Sequence, residues 1–135
     1  MMKVLLDTHI ILWALTDSDN LPQKARELIT DSNNEIYYSL ASAWEVAIKH
    51  LTHPNRIPVS ETELLNYCKQ AEYSQLAITE NHILMLKTLH RPENAPKHND
   101  PFDRMLIAQA KSENMIFVTH DSLISYYNEP CVLSV

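Results

Sequence analysis

The sequence predicts an α/β protein with a mainly parallel sheet covered on both faces by helices. Short apolar runs of strand type alternate with stretches of helical periodicity along the whole chain. The first run, Lys3-Val4-Leu5-Leu6, stops abruptly at the carboxylate of Asp7 and feeds a helix at once, marked by Ile10, Ile11, Trp13, Ala14 and Leu15. The length, 135 residues, fits one domain with one sizeable core. Right-handed crossovers place the C-terminal ends of parallel strands on one edge of the sheet, where open α/β folds bind their ligands. Asp7 stands at that edge.

The elements follow in order. Strand one covers about Lys3–Leu6 and helix one about Thr8–Leu15. Leu21-Pro22 opens a second helix that runs to about Thr30, with proline near its first turn. Glu35–Ser39 is strand two. Leu40, Ala43, Trp44, Ala47, Ile48 and Leu51 then mark one face of helix three, and Thr52–Pro58 is a loop. Ser60 caps a fourth helix through Glu63, with Leu64, Leu65, Tyr67 and Cys68 inside it. Leu76–Thr79 is a short third strand, followed by a helix from Glu80 to about Leu89. Arg91–Pro101 carries three prolines and is a surface loop. Asp100-Pro101 starts a helix to about Ser112, Met115–Thr119 is strand four, Asp121–Tyr127 a short helix and Cys131–Ser134 a last strand.

Composition bounds the function. No apolar run approaches the about 20 residues that a membrane helix needs, and Met1-Met2-Lys3 is a poor signal-peptide start. Cys68 and Cys131 lie far apart without metal spacing, as expected of free thiols in a reducing cytoplasm. The net charge of −6, from 17 acidic and 11 basic residues, argues against a protein that coats nucleic-acid phosphates. It leaves room for a nuclease, which concentrates acids where its metals sit. Glycine is absent altogether, which removes the phosphate-binding glycine loops and leaves turns to Asn, Asp, Ser and Pro.

Four acids fall just past strands or in the first turns of helices: Asp7, Glu45, Asp103 and Asp121. Each has an ordinary structural reading. Asp7 and Asp121 can cap the helices they precede. Glu45 has capping-box spacing to Ser42 and can pair with Lys49 four residues on. Asp103 suits the positive end of a helix dipole. If strands one, two and four are neighbours, all four face one crevice. Carboxylates so placed repel, and some ionise only beside a positive partner. Hard oxygen ligands suit Mg²⁺ or Mn²⁺, which can activate water and stabilise the leaving oxygen of a phosphodiester.

Four segments appear in order: Leu6-Asp7-Thr8-His9, Ser42-Ala43-Trp44-Glu45, Asp100-Pro101-Phe102-Asp103-Arg104 with Leu106-Ile107-Ala108-Gln109-Ala110, and Val118-Thr119-His120-Asp121. Together they resemble the PIN-domain ribonucleases, and within them the VapC-type toxins of bacterial toxin–antitoxin pairs. The resemblance covers nearly the whole chain. It implies a cytoplasmic, Mg²⁺-dependent endoribonuclease (Mn²⁺ being the alternative ion), built as one PIN-like domain over residues 1–135. Asp7, Glu45, Asp103 and Asp121 match the family's catalytic and metal-binding acids, and Thr8 and Thr119 its small hydroxyl residues beside the metal. The implied fold is a three-layer α/β/α sandwich whose five-stranded sheet has the order 3-2-1-4-5, which supplies the required adjacency. The implied partners are an RNA substrate, a cognate antitoxin protein and a second copy of the chain in a homodimer. The chain departs from the family in lacking a glycine after the third helix, which bears on the shape of the Thr52–Pro58 loop and not on the chemistry.

Other residues have competing readings. Asp100 is a good N-cap before a proline at the first helical position, or else belongs to the site. Arg104 can hold a phosphate or pair with Asp100 or Asp103. His50 and His53 are the nearest to a zinc pair but suit solvated loop and helix-end roles. His9 and His120 flank the proposed site and can touch substrate. Trp13, Trp44 and Phe102 lie on apolar helical faces and are expected in the core rather than stacking on bases. Lys49, Arg56, Arg91, Lys97 and Arg104 are a thin basic rim, or ordinary solvated surface. Two other functions compete: a Mg²⁺-dependent phosphatase with Asp7 as nucleophile, and a non-catalytic binding module such as a signalling receiver. The phosphatase pattern wants a second aspartate two residues on, where His9 stands, and a receiver needs paired acids at the first strand.

Overall fold

The computed structural model describes residues 1–135. The chain runs β1 (Lys3–Leu6), α1 (Thr8–Leu15), α2 (Gln23–Thr30), β2 (Glu35–Ser39), α3 (Leu40–Thr52), α4 (Glu61–Gln70), β3 (Ser74–Leu76), α5 (Glu80–Met85), α6 (Pro101–Glu113), β4 (Ile116–Thr119) and β5 (Val132–Ser134). The five strands form one sheet of order β3-β2-β1-β4-β5, and every pairing is parallel. The expected order and architecture are therefore present. β1 lies between β2 and β4, with Leu5 opposite Tyr37 on one side and Phe117 on the other.

Successive strand residues point to opposite faces of the sheet. Val4 and Leu6 enter a core with Ile10, Val46, Leu64 and Cys68 from α1, α3 and α4. Leu5 and Phe117 enter another with Leu106, Ile107 and Ala110 from α6. These two cores separate three layers, as expected of a sandwich with helices on both faces. No helix is long and apolar enough to cross a membrane. Cys68 and Cys131 are free, and burial pushes both thiols above their usual range.

Local chemistry sets the helix ends. Ser60 and Glu63 form the expected capping box of α4. Left-handed backbone positions fall to Asn114, Asn128, Asp17 and Glu72; three of the four are Asn or Asp, the side chains that best tolerate that region in a chain without glycine. The loop after α3 needs none: its first residue, His53, has φ −139°.

Four expectations need correction. β3 is Ser74–Leu76 rather than Leu76–Thr79, because the Thr79 hydroxyl accepts the His82 N–H and caps α5 instead of extending the strand. α5 ends at Met85 and continues as a 3-10 turn, and the segment after β4, Ser122–Tyr127, is also 3-10. α3 starts at Leu40 with Ser39 as its cap, so Ser42 lies inside the helix and forms no capping box with Glu45. Trp44 is not in the core: it is 59% exposed and stands at 5.0 Å from Phe102, edge to face. Ile48 and Leu51 of the same helix are exposed as well.

A buried polar link ties β2 to α6. The Ser39 hydroxyl accepts the Ala41 N–H as a cap and donates to Oε1 of Gln109, which is fully buried. Replacing Ser39 by alanine removes the cap and leaves the Gln109 carbonyl without a donor. A stability loss of about 1–3 kcal/mol is expected, read as a lowered midpoint in urea unfolding; an unchanged midpoint would show the link to be dispensable.

Candidate metal centre

β1 delivers Asp7 to the C-terminal edge of the sheet, where it caps α1. The residue is buried, with 5% of its surface exposed. Oδ1 accepts the Thr8 N–H at 2.7 Å and Oδ2 accepts the Thr119 hydroxyl at 2.6 Å, so β4 helps to hold it. Burial raises the Asp7 pKa to about 6, against the lowering effect of the Thr119 and Thr8 hydrogen bonds. Thr8 turns its hydroxyl to α3, donating to Oε1 of Glu45 at 2.7 Å, with Ser42 Oγ 2.9 Å away. Glu45 is thus placed by the start of α1 as much as by its own helix, and is as buried as Asp7.

Asp100 caps α6, accepting the N–H groups of Phe102 at 2.8 Å and Asp103 at 3.1 Å through Oδ1. Its Oδ2 faces Lys49 at 3.9 Å. The two readings of this residue are compatible, since one oxygen caps and the whole side chain lines the cleft. Lys49 also binds Oε2 of Glu45, the expected i,i+4 pair. Burial works against its charge, but Glu45, Asp100 and Asp103 outweigh that and push its pKa up. Asp121 caps the 3-10 turn after β4, accepting the Leu123 N–H at 2.9 Å.

These residues line one cleft of about 320 Å³: Asp7, Glu45, Lys49, Asp100, Asp103 and Asp121 with His9, Trp13 and His120. The four predicted acids therefore meet, with Asp100 as a fifth. The consequence is clearest at Asp103, whose pKa is raised to about 8 by burial first and then by the charges of Asp7, Asp100, Glu45 and Asp121. A carboxylate whose pKa is raised by burial and by four neighbouring acids marks a site short of positive charge. Its donors are hard carboxylate oxygens, and they fit a small divalent cation.

Other expected residues are placed differently. Arg104 pairs with neither Asp100 nor Asp103 and does not line the cleft; its guanidinium donates to the Tyr127 hydroxyl at 3.3 Å and to the Leu86 carbonyl at 3.2 Å. Arg91 lies over the Tyr127 ring instead of forming a basic rim. Lys49 alone of that rim reaches the acids, while Arg56 lines an adjoining depression with His9, His53 and Ile48. His50 is tied to the Ile57 carbonyl at the end of the loop after α3. Trp13 is half-buried and walls the cleft between the rings of His9, at 5.9 Å, and His120, at 5.6 Å. His98 escaped sequence reasoning. It is nearly buried, with Nε2 at 3.1 Å from Oδ2 of Asp103, and it groups with Asp103 and Asp121 as possible ligands within 4.8 Å. Its place in a proline-rich loop gave no signal; only its position just before Asp100-Pro101 hinted at the site.

Asp103 predicts a pH dependence. Its folded-state pKa, about 8, lies above the ordinary 3.8, so between those values the folded chain holds a proton that the unfolded chain has lost. Its contribution to stability is whole below the ordinary value and disappears as pH rises through the raised one. With divalent cations removed by EDTA, the thermal midpoint should fall from pH 5 to pH 8, and Asp103→Asn should flatten that fall. Equal slopes for the two proteins would show that Asp103 does not carry the repulsion.

Comparison with known proteins places this arrangement. No curated protein sequence matches the chain. Among solved structures, VapBC2 from Rickettsia felis bound to a promoter DNA fragment is similar at 16% identity and TM-score 0.67, over 99% of this chain and 98% of that one. VapBC-1 from nontypeable Haemophilus influenzae gives 16% identity and TM-score 0.67 over 98% of each chain. A toxin–antitoxin complex from Klebsiella pneumoniae gives 16% and 0.63 over 97% of this chain and 96% of that one. The model of the PIN domain matches residues 4–129, nearly the whole chain and a span that includes the four acids. The chain belongs to the PIN domain family.

Proposed function

We propose that this protein is a Mg²⁺- or Mn²⁺-dependent endoribonuclease and the toxin of a toxin–antitoxin pair. The observation that carries the reading is the single cleft in which Asp7, Glu45, Asp103 and Asp121 meet. Asp7, Glu45, Asp103 and Asp121 would hold the cation, whose chemistry when bound is to make water a competent nucleophile and to relieve charge on the leaving oxygen. The chain's own part is placement. Thr8 and Thr119 fix the Asp7 and Glu45 carboxylates by hydrogen bonds from the neighbouring strand and helix. Asp100 holds the start of α6, and with it Asp103. Lys49 lies against Glu45 and Asp100 and offsets part of their charge. His9, Trp13 and His120 form the cleft's aromatic wall, on which an RNA strand can rest. For the phosphatase alternative, Asp7 would have to attack as a nucleophile, yet both its oxygens already accept strong hydrogen bonds.

The toxin part rests on likeness to solved toxin–antitoxin structures and on the open apolar surface of α3. Trp44, Ile48 and Leu51 form one exposed row at helical spacing, with the basic side chains of Lys49 and Arg56 nearby. Exposed apolar rows of this kind mark protein contacts. A cognate antitoxin segment lying there would reach the cleft and could offer the acids a basic side chain. Ile83 and Leu84 of α5 are a second exposed apolar pair, available to a second copy of the chain. The site of action in this reading is the cytoplasm.

Asp7→Asn removes a charged ligand without a change of size. It should lower the rate of cleavage of a fluorogenic RNA in Mg²⁺ by at least about 100-fold, the scale of losing a group that stabilises transition-state charge. Wild type in EDTA should be equally inactive. Retained cleavage in the variant would sink the metal reading. Expression of the wild-type chain alone should arrest growth, and Glu45→Gln should relieve it; equal toxicity of the two would point to a cause other than cleavage. Light scattering should report a homodimer, and a monomer mass would remove the second copy from the reading.

A further inference from the structure

α6 carries Asp103, but the rigidity of that carboxylate comes from outside the helix. Only one side chain hydrogen-bonds it: His98, in the loop before α6, places Nε2 at 3.1 Å from Oδ2. His98 is in turn held from behind. Its Nδ1 meets the Tyr127 hydroxyl at 2.8 Å, and Nη1 of Arg104 donates to that same hydroxyl at 3.3 Å. The Tyr127 ring also stands against the imidazole, edge to face, at 5.4 Å.

A guanidinium only donates, so the Tyr127 oxygen accepts from Arg104. The imidazole is held at both nitrogens, Nδ1 by the Tyr127 hydroxyl and Nε2 by Oδ2 of Asp103, so the ring cannot turn without breaking one of the two bonds. Arg104, Tyr127, His98 and Asp103 form one continuous hydrogen-bonded chain. The supports are expensive to keep. Arg91 lies over the Tyr127 ring at 5.5 Å with Nε and Nη2 buried and without a hydrogen-bond partner, and Arg104 lies over the ring at 5.6 Å. Two guanidiniums therefore hold the ring of the tyrosine that backs His98.

We infer that His98, locked by Tyr127, is a positioning residue that aims the Asp103 carboxylate into the acidic cleft and so sets how tightly the cleft takes a divalent cation. One oxygen of Asp103 is committed to His98, which leaves Oδ1 for the ion. Hydrogen-bonded partners of ligating groups commonly change metal affinity by about 10–100-fold when removed. The inference rests on the cleft being a metal site, and the test separates the two.

Mn²⁺ alone serves as the probe, with its dissociation constant read by room-temperature electron paramagnetic resonance and the fold checked by circular dichroism. His98→Ala should weaken Mn²⁺ binding by about 10–100-fold. His98→Gln, whose amide nitrogen can stand where Nε2 stood, should recover most of that loss. Tyr127→Phe keeps the ring and removes only the hydroxyl; it should weaken binding in the same direction, and it serves if His98→Ala does not fold. Pulsed measurements on the wild type should show no nitrogen coupling of a directly bound imidazole. Such a coupling in wild type, lost in His98→Gln, would make His98 a ligand and overturn the inference. Equal affinity in wild type, His98→Ala and Tyr127→Phe, or in wild type and Tyr127→Phe where His98→Ala does not fold, would overturn it too. Failure of the wild type to take up Mn²⁺ at all would instead overturn the metal reading of the cleft.

Discussion

Five carboxylates and one lysine share a cleft at the C-terminal edge of the sheet, and the rest of the structure is arranged around that imbalance. The raised pKa values of Asp7 and Asp103 are its local expression. Burial is the larger cause at both residues, so depth in the fold, more than crowding, makes the charges costly. Apart from Lys49, which lies against Glu45 and Asp100, what holds the acids in place is neutral. The Thr8 and Thr119 hydroxyls each direct a hydrogen toward a carboxylate oxygen, His98 bonds another, and backbone N–H groups at the starts of α1 and α6 add more. Neutral partners orient a carboxylate without cancelling it, so one lysine leaves the cleft strongly negative. A fully salt-bridged arrangement would have been easier to fold.

The placement of each acid is a property of parallel strands. β1 sits at the centre of the sheet, flanked by β2 and β4, so the residues just past these strands arrive at one edge within reach of one another. Asp7 follows β1, Thr119 ends β4, and Glu45 is on the helix that leaves β2. The hydrogen bond from Thr119 to Asp7 spans most of the sequence and only one strand spacing. Asp103 arrives from the opposite layer, at the start of α6, and closes the cleft over the sheet edge.

How much of this was legible in the sequence follows from how local each feature is. The junction of β1 with α1 is written in neighbouring residues: an apolar run, then Asp7 as strand end and cap together. The Asp100-Pro101 start of α6 and the Ser60–Glu63 box are equally local. The meeting of the four acids was legible only through strand adjacency, which the family resemblance supplied and periodicity did not. β3 was shifted because Thr79 had two uses, as a β-branched strand residue and as a cap, and the cap prevailed. Trp44 and Leu51 misled because a helical apolar stripe does not by itself say which of its residues the neighbouring elements cover, and here the stripe is wider than the face of α3 that packs on the core. Arg104 and His98 depended on Tyr127, more than twenty residues away in sequence, and no spacing rule connects them.

Stability and chemistry pull in opposite directions here. Replacing Asp103 by a neutral residue would relieve repulsion that burial makes severe, so the metal-free fold has little use for the carboxylate as it stands. Thr119 shows the same conflict in a milder form: its hydroxyl lowers the Asp7 pKa and partly undoes what burial does to it. The Ser39–Gln109 link is on the other side, since it strengthens the attachment of α6 to β2 and touches no acid. Such links allow the cleft to remain strained by its own charge while the elements that bear it stay fixed. A cation bound at one hundred times its dissociation constant would add about 2.7 kcal/mol to the folded state, comparable to the loss expected from one broken buried hydrogen bond. On that scale the carboxylates are tolerable in a fold held elsewhere by ordinary packing. The hydrogen-bonded chain through His98 belongs to the same division: it ties one oxygen of Asp103 to the loop before α6 and to Tyr127, so the carboxylate keeps its orientation without a charged partner.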